Sequence, residues 1–235
     1  MNAAIKEKVR QRGVTRLCHF TPSRNLIHIA SGVTGILATK KLEAEERKLY
    51  TPTDLLRFDG HAGFISCSLE YPNAWYFDKA RGDDVLFKDW VVLMIKPKYL
   101  WADWTRFCAR NAAGACGAEI AEGEAAFDAM FAASVRGARG MTFTRSSGHL
   151  PCCPTDEQAE VLIPDQVPLD DVLAVAVSSE SQAKNELARF RAVGVPADRF
   201  CLVVAPTLFD KRALSRCIRS GKRPTESAWS PGDGR

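Results

Sequence analysis

Apolar residues occur along this chain in short runs separated by long polar stretches. The clearest run is WVVLMI, residues 90–95, which predicts a buried strand closed by Lys96-Pro97. Further β signals lie at 15–20 (TRLCHF), 63–69 (GFISCSL), 159–163, 172–177 and 200–205. Helical spacing appears at Leu26, Ile29 and Ala30, behind Thr21-Pro22 as cap and first helical residue and ahead of Gly32 as a stop. Pro72 opens a short helix carrying Trp75, Tyr76 and Phe77, and Phe127, Met130 and Phe131 share one face of a helix expected over 124–134. A polar helix over 180–192 separates the last two strands. The segment 33–62 is charged and loop-rich, with one helix expected around 43–49. The sum is an α+β fold, with short strands in a mixed sheet, inserted helices and long loops at one end.

The stretches between 101 and 150 that flank the Phe127 helix are rich in Gly, Ala, Arg and Ser, and loops of that length in a compact domain usually serve function or are disordered. Residues 1–15 form a basic lead, residues 16–220 fit one domain, and the Pro/Ser/Gly-rich stretch 221–235 reads as a disordered tail. The 235 residues, 46% hydrophobic and 26% charged, describe an ordinary globular chain with enough material for a real core. No apolar run approaches the roughly 18 residues of a membrane helix, and the polar N-terminus lacks the apolar stretch of a signal peptide. The expected location is the cytoplasm, with no membrane partner.

Charge is placed unevenly. Residues 1–50 carry ten basic and four acidic side chains, residues 181–235 carry eleven and five, and the middle carries eleven against nineteen. Cationic ends suit a polyanion such as nucleic acid, although solvated surface charge produces the same count. The eight cysteines contain no CxxC pair and several lie in apolar runs, as expected of reduced, inert thiols. The best metal candidate joins His149, Cys152 and Cys153 to Cys108 and Cys116; no metal is expected.

Three segments carry chemistry. The first, LCHFTPSRNL, puts His19 at a strand end beside a helix, where an imidazole can meet a ribose or an amide. The second, RFDGH, offers Arg57, whose planar fork suits a pyrophosphate. The third, PTDEQAEVLI, leads an acidic turn into an apolar strand whose first polar residue is Glu160. Singly, each has a plain structural reading: a half-buried His bonded to backbone, a surface Arg paired with Asp59, and a common strand-edge carboxylate.

In order, these motifs resemble the DarT family of DNA ADP-ribosyltransferases over residues 16 to 177. The resemblance implies an ADP-ribosyltransferase fold with NAD+ in the cleft of a split mixed sheet. It implies catalytic Glu160 and Arg57, with His19, Phe20, Thr21, Asn25 and Arg57 binding the consumed NAD+. It also implies a substrate-recognition loop between about 108 and 155. The acceptor would be a base in single-stranded DNA, thymidine first and guanine as the alternative, in a toxin countered by a macrodomain-type ADP-ribosyl hydrolase as antitoxin. Trp104, Arg106, Arg110 and Arg145 are the candidate DNA contacts, since aromatics stack bases and arginines hold phosphate; Trp101 and Phe107 stand between that role and the core. Rival readings are the same chemistry on RNA or protein, and a nucleic-acid binder without enzymatic activity.

Overall fold

The basic lead is a docked helix. In the computed structural model, which describes residues 1–32, 34–44, 59–84, 86–137 and 140–231, α1 (Ala3–Arg12) is capped by the Asn2 side chain, which accepts from Ile5 N at 3.1 Å. Ile5 and Val9, one turn apart, are its buried residues, and Asn2 N donates to Trp101 O. β1 (Leu17–Pro22) follows and runs straight into α2 (Ser23–Ser31). Thr21 therefore belongs to the strand, a correction to its expected role as helix cap. Its hydroxyl accepts from Asn25 Nδ2 instead, at 2.9 Å.

Short β2 (Ile36–Leu37) and α3 (Thr39–Ala44) precede β3 (Phe64–Leu69) and α4 (Ala74–Asp83). The helix expected around 43–49 falls mostly outside the described residues. β4 (Trp90–Ile95) is buried at all six positions, because β1 pairs with one of its edges and β11 (Val172–Val177) with the other. Next come β5 (Arg106–Cys108), β6 (Ala121–Glu122), α5 (Gly123–Ala129) and the hairpin β7 (Ser134–Arg136) to β8 (Thr142–Thr144). The expected long loop over 108–155 is thus largely built from short elements, and the helix expected to reach 134 stops at Ala129. β9 (Glu160–Pro164) and β10 (Gln166–Val167) lead to β11, and α6 (Glu180–Ala192) connects it to β12 (Leu202–Val204).

Of the stretch 221–235 expected as a disordered tail, the described residues 221–231 hold a strand. α7 (Lys211–Arg219) is capped by Asp210, and β13 (Ser227–Trp229) pairs with β12 as the sheet's outer strand. Arg16 grips Glu226, and Arg223 reaches Glu70 at 2.7 Å, so the segment is tied down by charge as well as by strand pairing. Among the described residues the main sheet runs β13-β12-β11-β4-β1-β3-β9-β5-β6, and every neighbouring pair is antiparallel except β11 with β12. Phe77 of α4 stacks on Phe20 at 4.7 Å and meets Trp90 and Phe209, which packs α4 over β1 and β4. Ser23 Oγ donates to the buried Glu186 at 2.6 Å, joining α2 to α6.

Candidate active site

β1 follows β4 for its whole length but follows β3 only at Leu17↔Leu69 and Cys18↔Ser68. From His19 onward β1 and β3 part, and β3 continues against β9. The sheet splits there. His19 stands at the fork, with Nδ1 2.9 Å from the carbonyl oxygen of Ser66. The same Ser66 donates its hydroxyl to Glu160 Oε2 at 2.6 Å. The other oxygen, Oε1, accepts from Ala112 N at 3.0 Å. Glu160 is the first residue of β9, opposite Cys108 at the end of β5, and is half-buried. One serine therefore links the imidazole and the carboxylate, and the loop after β5 closes on the carboxylate from the other side.

On the β1 side, Thr21 and Asn25 are buried together. Asn25 Oδ1 has no hydrogen-bond partner among the described residues. A buried acceptor without a donor is costly unless a ligand supplies one, so this pair fits a group carrying an amide N–H. Phe20 is half-buried in an aromatic cluster with Tyr76, Phe77 and Trp90. Arg57 lies outside the described residues.

The turn before Glu160 is held residue by residue. Thr155 Oγ1 donates to Ala132 O at 2.6 Å, Asp156 Oδ1 accepts from Gln158 N at 2.9 Å, and Glu157 accepts from Trp75 Nε1, Ser215 Oγ and Arg219 Nε. Burial pushes the Asp156 carboxyl up to about 6. The DGH motif makes a tight turn, with His61 N donating to Asp59 Oδ1 at 3.0 Å. That turn docks on Gly117, where φ is +81° and an added Cβ would lie 2.3 Å from Asp59 O. The space and the dihedral both demand glycine there.

The four candidate DNA contacts separate. Trp104 is 71% exposed at φ +69°, near the start of α1. Arg106 is on β5, over the Phe64 ring at 4.6 Å and 3.3 Å from His61 Nδ1, and pairs with Glu122. Arg110 pairs with Glu119 and donates to Gly137 O. Arg145 donates to Leu150 O and Cys153 O, both at 2.8 Å, and so braces the turn ahead of β9; burial lowers its pKa. Trp101 packs against the core and Phe107 is fully buried in it. Among the described residues no three His, Cys, Asp or Glu side chains group as metal ligands, and His149 Nε2 instead lies 3.0 Å from Pro154 O. None of the described helices is long and apolar enough to cross a membrane.

Sequence reasoning missed Ser66. Its signal was the pair Ser66 and Ser68, small polar residues at strand period on the face opposite Ile65, Cys67 and Leu69.

The model of the family described as ssDNA thymidine ADP-ribosyltransferase, DarT, matches residues 18–203. This chain belongs to the DarT family. Its fold resembles Thermosipho africanus DarTG in complex with ADP-ribose, with a TM-score of 0.57 at 16% identity, over 83% of this chain and 51% of that one. It also resembles Thermus sp. 2.9 DarT in complex with ADP-ribosylated ssDNA, with a TM-score of 0.50 at 11% identity, over 80% and 97% of the two chains. At these identities the likeness is one of fold, and this chain spans about half the length of the Thermosipho DarTG chain. No curated protein matches it. The family match ends before α7 and β13, which add the outer strand and the clamp on the turn leading to Glu160.

Proposed function

We propose that this DarT-family protein transfers ADP-ribose from NAD+ to the base of thymidine in single-stranded DNA, releasing nicotinamide, with Glu160 at the reacting carbon. The observation that carries the reading is the fixed carboxylate. Glu160 is held by Ser66 Oγ and Ala112 N at the fork where His19 stands. Breaking the bond between nicotinamide and ribose builds positive charge on the ribose, as in glycoside hydrolysis, and a preorganised carboxylate stabilises it and can orient a ribose hydroxyl. Asn25 and Thr21 supply the buried amide-type acceptor that suits a carboxamide, His19 and Phe20 border the same cleft, and the family resemblance assigns Arg57 to the phosphates or to the accepting base. The chain's own residues thus bind, orient and stabilise charge, without a metal.

A paired base hides its acceptor nitrogen in the duplex, so single strands avoid an opening cost of a few kcal/mol. The same reading makes the protein a cytoplasmic toxin whose partner is an antitoxin of the macrodomain-type ADP-ribosyl hydrolase class. The test is incubation with labelled NAD+ and separate single-stranded DNA, duplex DNA, RNA and protein. Label on single-stranded DNA at thymidine, much reduced once the complement is annealed, is the expected result. Label on protein or RNA alone overturns it.

A further inference from the structure

α7 lies outside the matched family segment yet touches the turn that feeds Glu160. Its Leu214 and Ile218 are buried, one turn apart, and Arg212, Arg216 and Arg219 make an exposed stripe along another face. Arg219 pairs with Glu157, three residues before Glu160, whereas Arg212 and Arg216 have no ion pair among the described residues. Beside the helix stands Trp75, 41% exposed, whose Nε1 donates to the same Glu157. Lys211 Nζ sits 5.5 Å over the Trp75 ring and pairs with Asp78 at 2.7 Å.

We propose that this face, Trp75 with the Arg212–Arg216–Arg219 stripe of α7, carries the single strand flanking the modified base. The inference rests on the function proposed above and names where the substrate runs. The occupant is argued from charge and shape. Arginines spaced one helical turn apart, two of them without an ion pair among the described residues, stand beside a partly exposed indole and offer phosphate contacts and a stacking surface together. Seven residues of helix span about 10 Å, enough to meet successive phosphates of one strand. Glu157 joins Trp75 and Arg219 to the turn that sets Glu160, which puts the strand next to the site it must enter.

The experiment measures binding of thymidine-containing single strands, one of about 4 nucleotides and one of about 16, across a salt series by fluorescence anisotropy. It uses the full chain, the double variant Arg212→Glu/Arg216→Glu, Trp75→Ala and Trp75→Phe, with thermal melting of each variant confirming the fold. The wild type should bind the longer strand more tightly. The double variant should lose that preference, bind the long strand about tenfold more weakly and flatten the salt slope by roughly 1.4, two phosphate contacts' worth. Trp75→Ala should weaken long-strand binding about tenfold, and Trp75→Phe should keep most of it, because stacking needs the ring and not the N–H. An unchanged slope in the folded double variant overturns the assignment and leaves the stripe to a protein partner, as does a Phe variant as weak as the Ala variant. If the wild type neither binds nor modifies any single strand, the proposed function itself falls. If it modifies single strands while the variants bind like wild type, only this surface is lost.

Discussion

Two glutamates lie at the same end of neighbouring strands and have opposite fates. Glu70, directly after β3, is fully buried; it accepts from Thr15 N at 2.7 Å and from Thr15 Oγ1, and forms an ion pair with Arg223 at 2.7 Å. Its φ of +65° is a strained conformation for a side-chain-bearing residue, held by those bonds. Glu160, opening β9, is half-buried and held by a serine hydroxyl and a backbone amide. The first carboxylate has its charge compensated inside the protein and closes the sheet's lower end against the C-terminal segment. The second is fixed in position and stays half-buried, as the charge-stabilising role proposed for it requires. Residue type and the end of the sheet are the same, so exposure sets the structural carboxylate apart from the one proposed to act on the substrate.

Replacing Glu160 with Gln gives the largest effect. It keeps the shape and removes the charge, so transfer should fall by about 10²–10³ at unchanged melting temperature. A folded variant retaining more than about a tenth of wild-type transfer would remove Glu160 from the reaction.

The counterpart at the other carboxylate is Arg223→Ala. Stripping the cation from a fully buried carboxylate is strongly destabilising, but Arg223 is itself 51% exposed, so the cost should be about 2–3 kcal/mol, below the range for fully buried pairs. For a chain of this size that lowers the melting temperature by roughly 4–12 °C, while transfer per folded molecule at low temperature stays near wild type. Lost turnover in a fully folded variant would erase the contrast between the two glutamates.

Ser66→Ala sharpens the comparison. It deletes the 2.6 Å hydrogen bond that orients Glu160 and leaves the charge in place. A hydrogen bond to a charged group contributes about 1.5–3 kcal/mol, so kcat should drop at least about tenfold. Ser66→Thr, which keeps the hydroxyl, should recover most of it. Equal loss in both variants would mean that Ser66 matters only for packing.

The strands at 90–95 and 172–177 and the helix at 180–192 coincide with the sequence expectation. Each carries its own buried run, or its own cap and polar boundary. β5 was not legible: Arg106–Cys108 is three residues without alternation, and it is a strand only because β9 and β6 lie on either side of it. α7 carries ordinary helix signals, Asp210 as cap, Leu214 with Ile218 and the stop at Gly221, but it falls in the last part of the expected domain, to which no element was assigned. At the site, His19 and Glu160 were visible through the motifs, but the bond between them was not. It passes through Ser66, a residue that becomes informative only when β3 is seen to lie between β1 and β9. Arg57, named from the same motifs, lies outside the described residues.

The effect expected at Asp156, four residues before Glu160, is one on stability alone, and it shows as a pH dependence. Asp156 is 2% exposed, and burial raises its carboxyl from 3.8 to about 6. Between those two values the folded chain holds a proton that the unfolded chain has released, so stability falls as pH rises through this window and the full penalty is present above it. A shift of that size corresponds to about 2–3 kcal/mol. Asp156→Asn keeps an acceptor for Gln158 N, which Oδ1 now serves at 2.9 Å, and removes the titration. The variant should therefore match wild type in urea denaturation near the lower end of the window and exceed it by about 2 kcal/mol on the alkaline side. Comparing the two proteins at each pH cancels every other titrating group. A stability difference that stays constant across the window would show that Asp156 does not titrate there, and that the turn ahead of Glu160 is held in its ionised form by Gln158 and its neighbours.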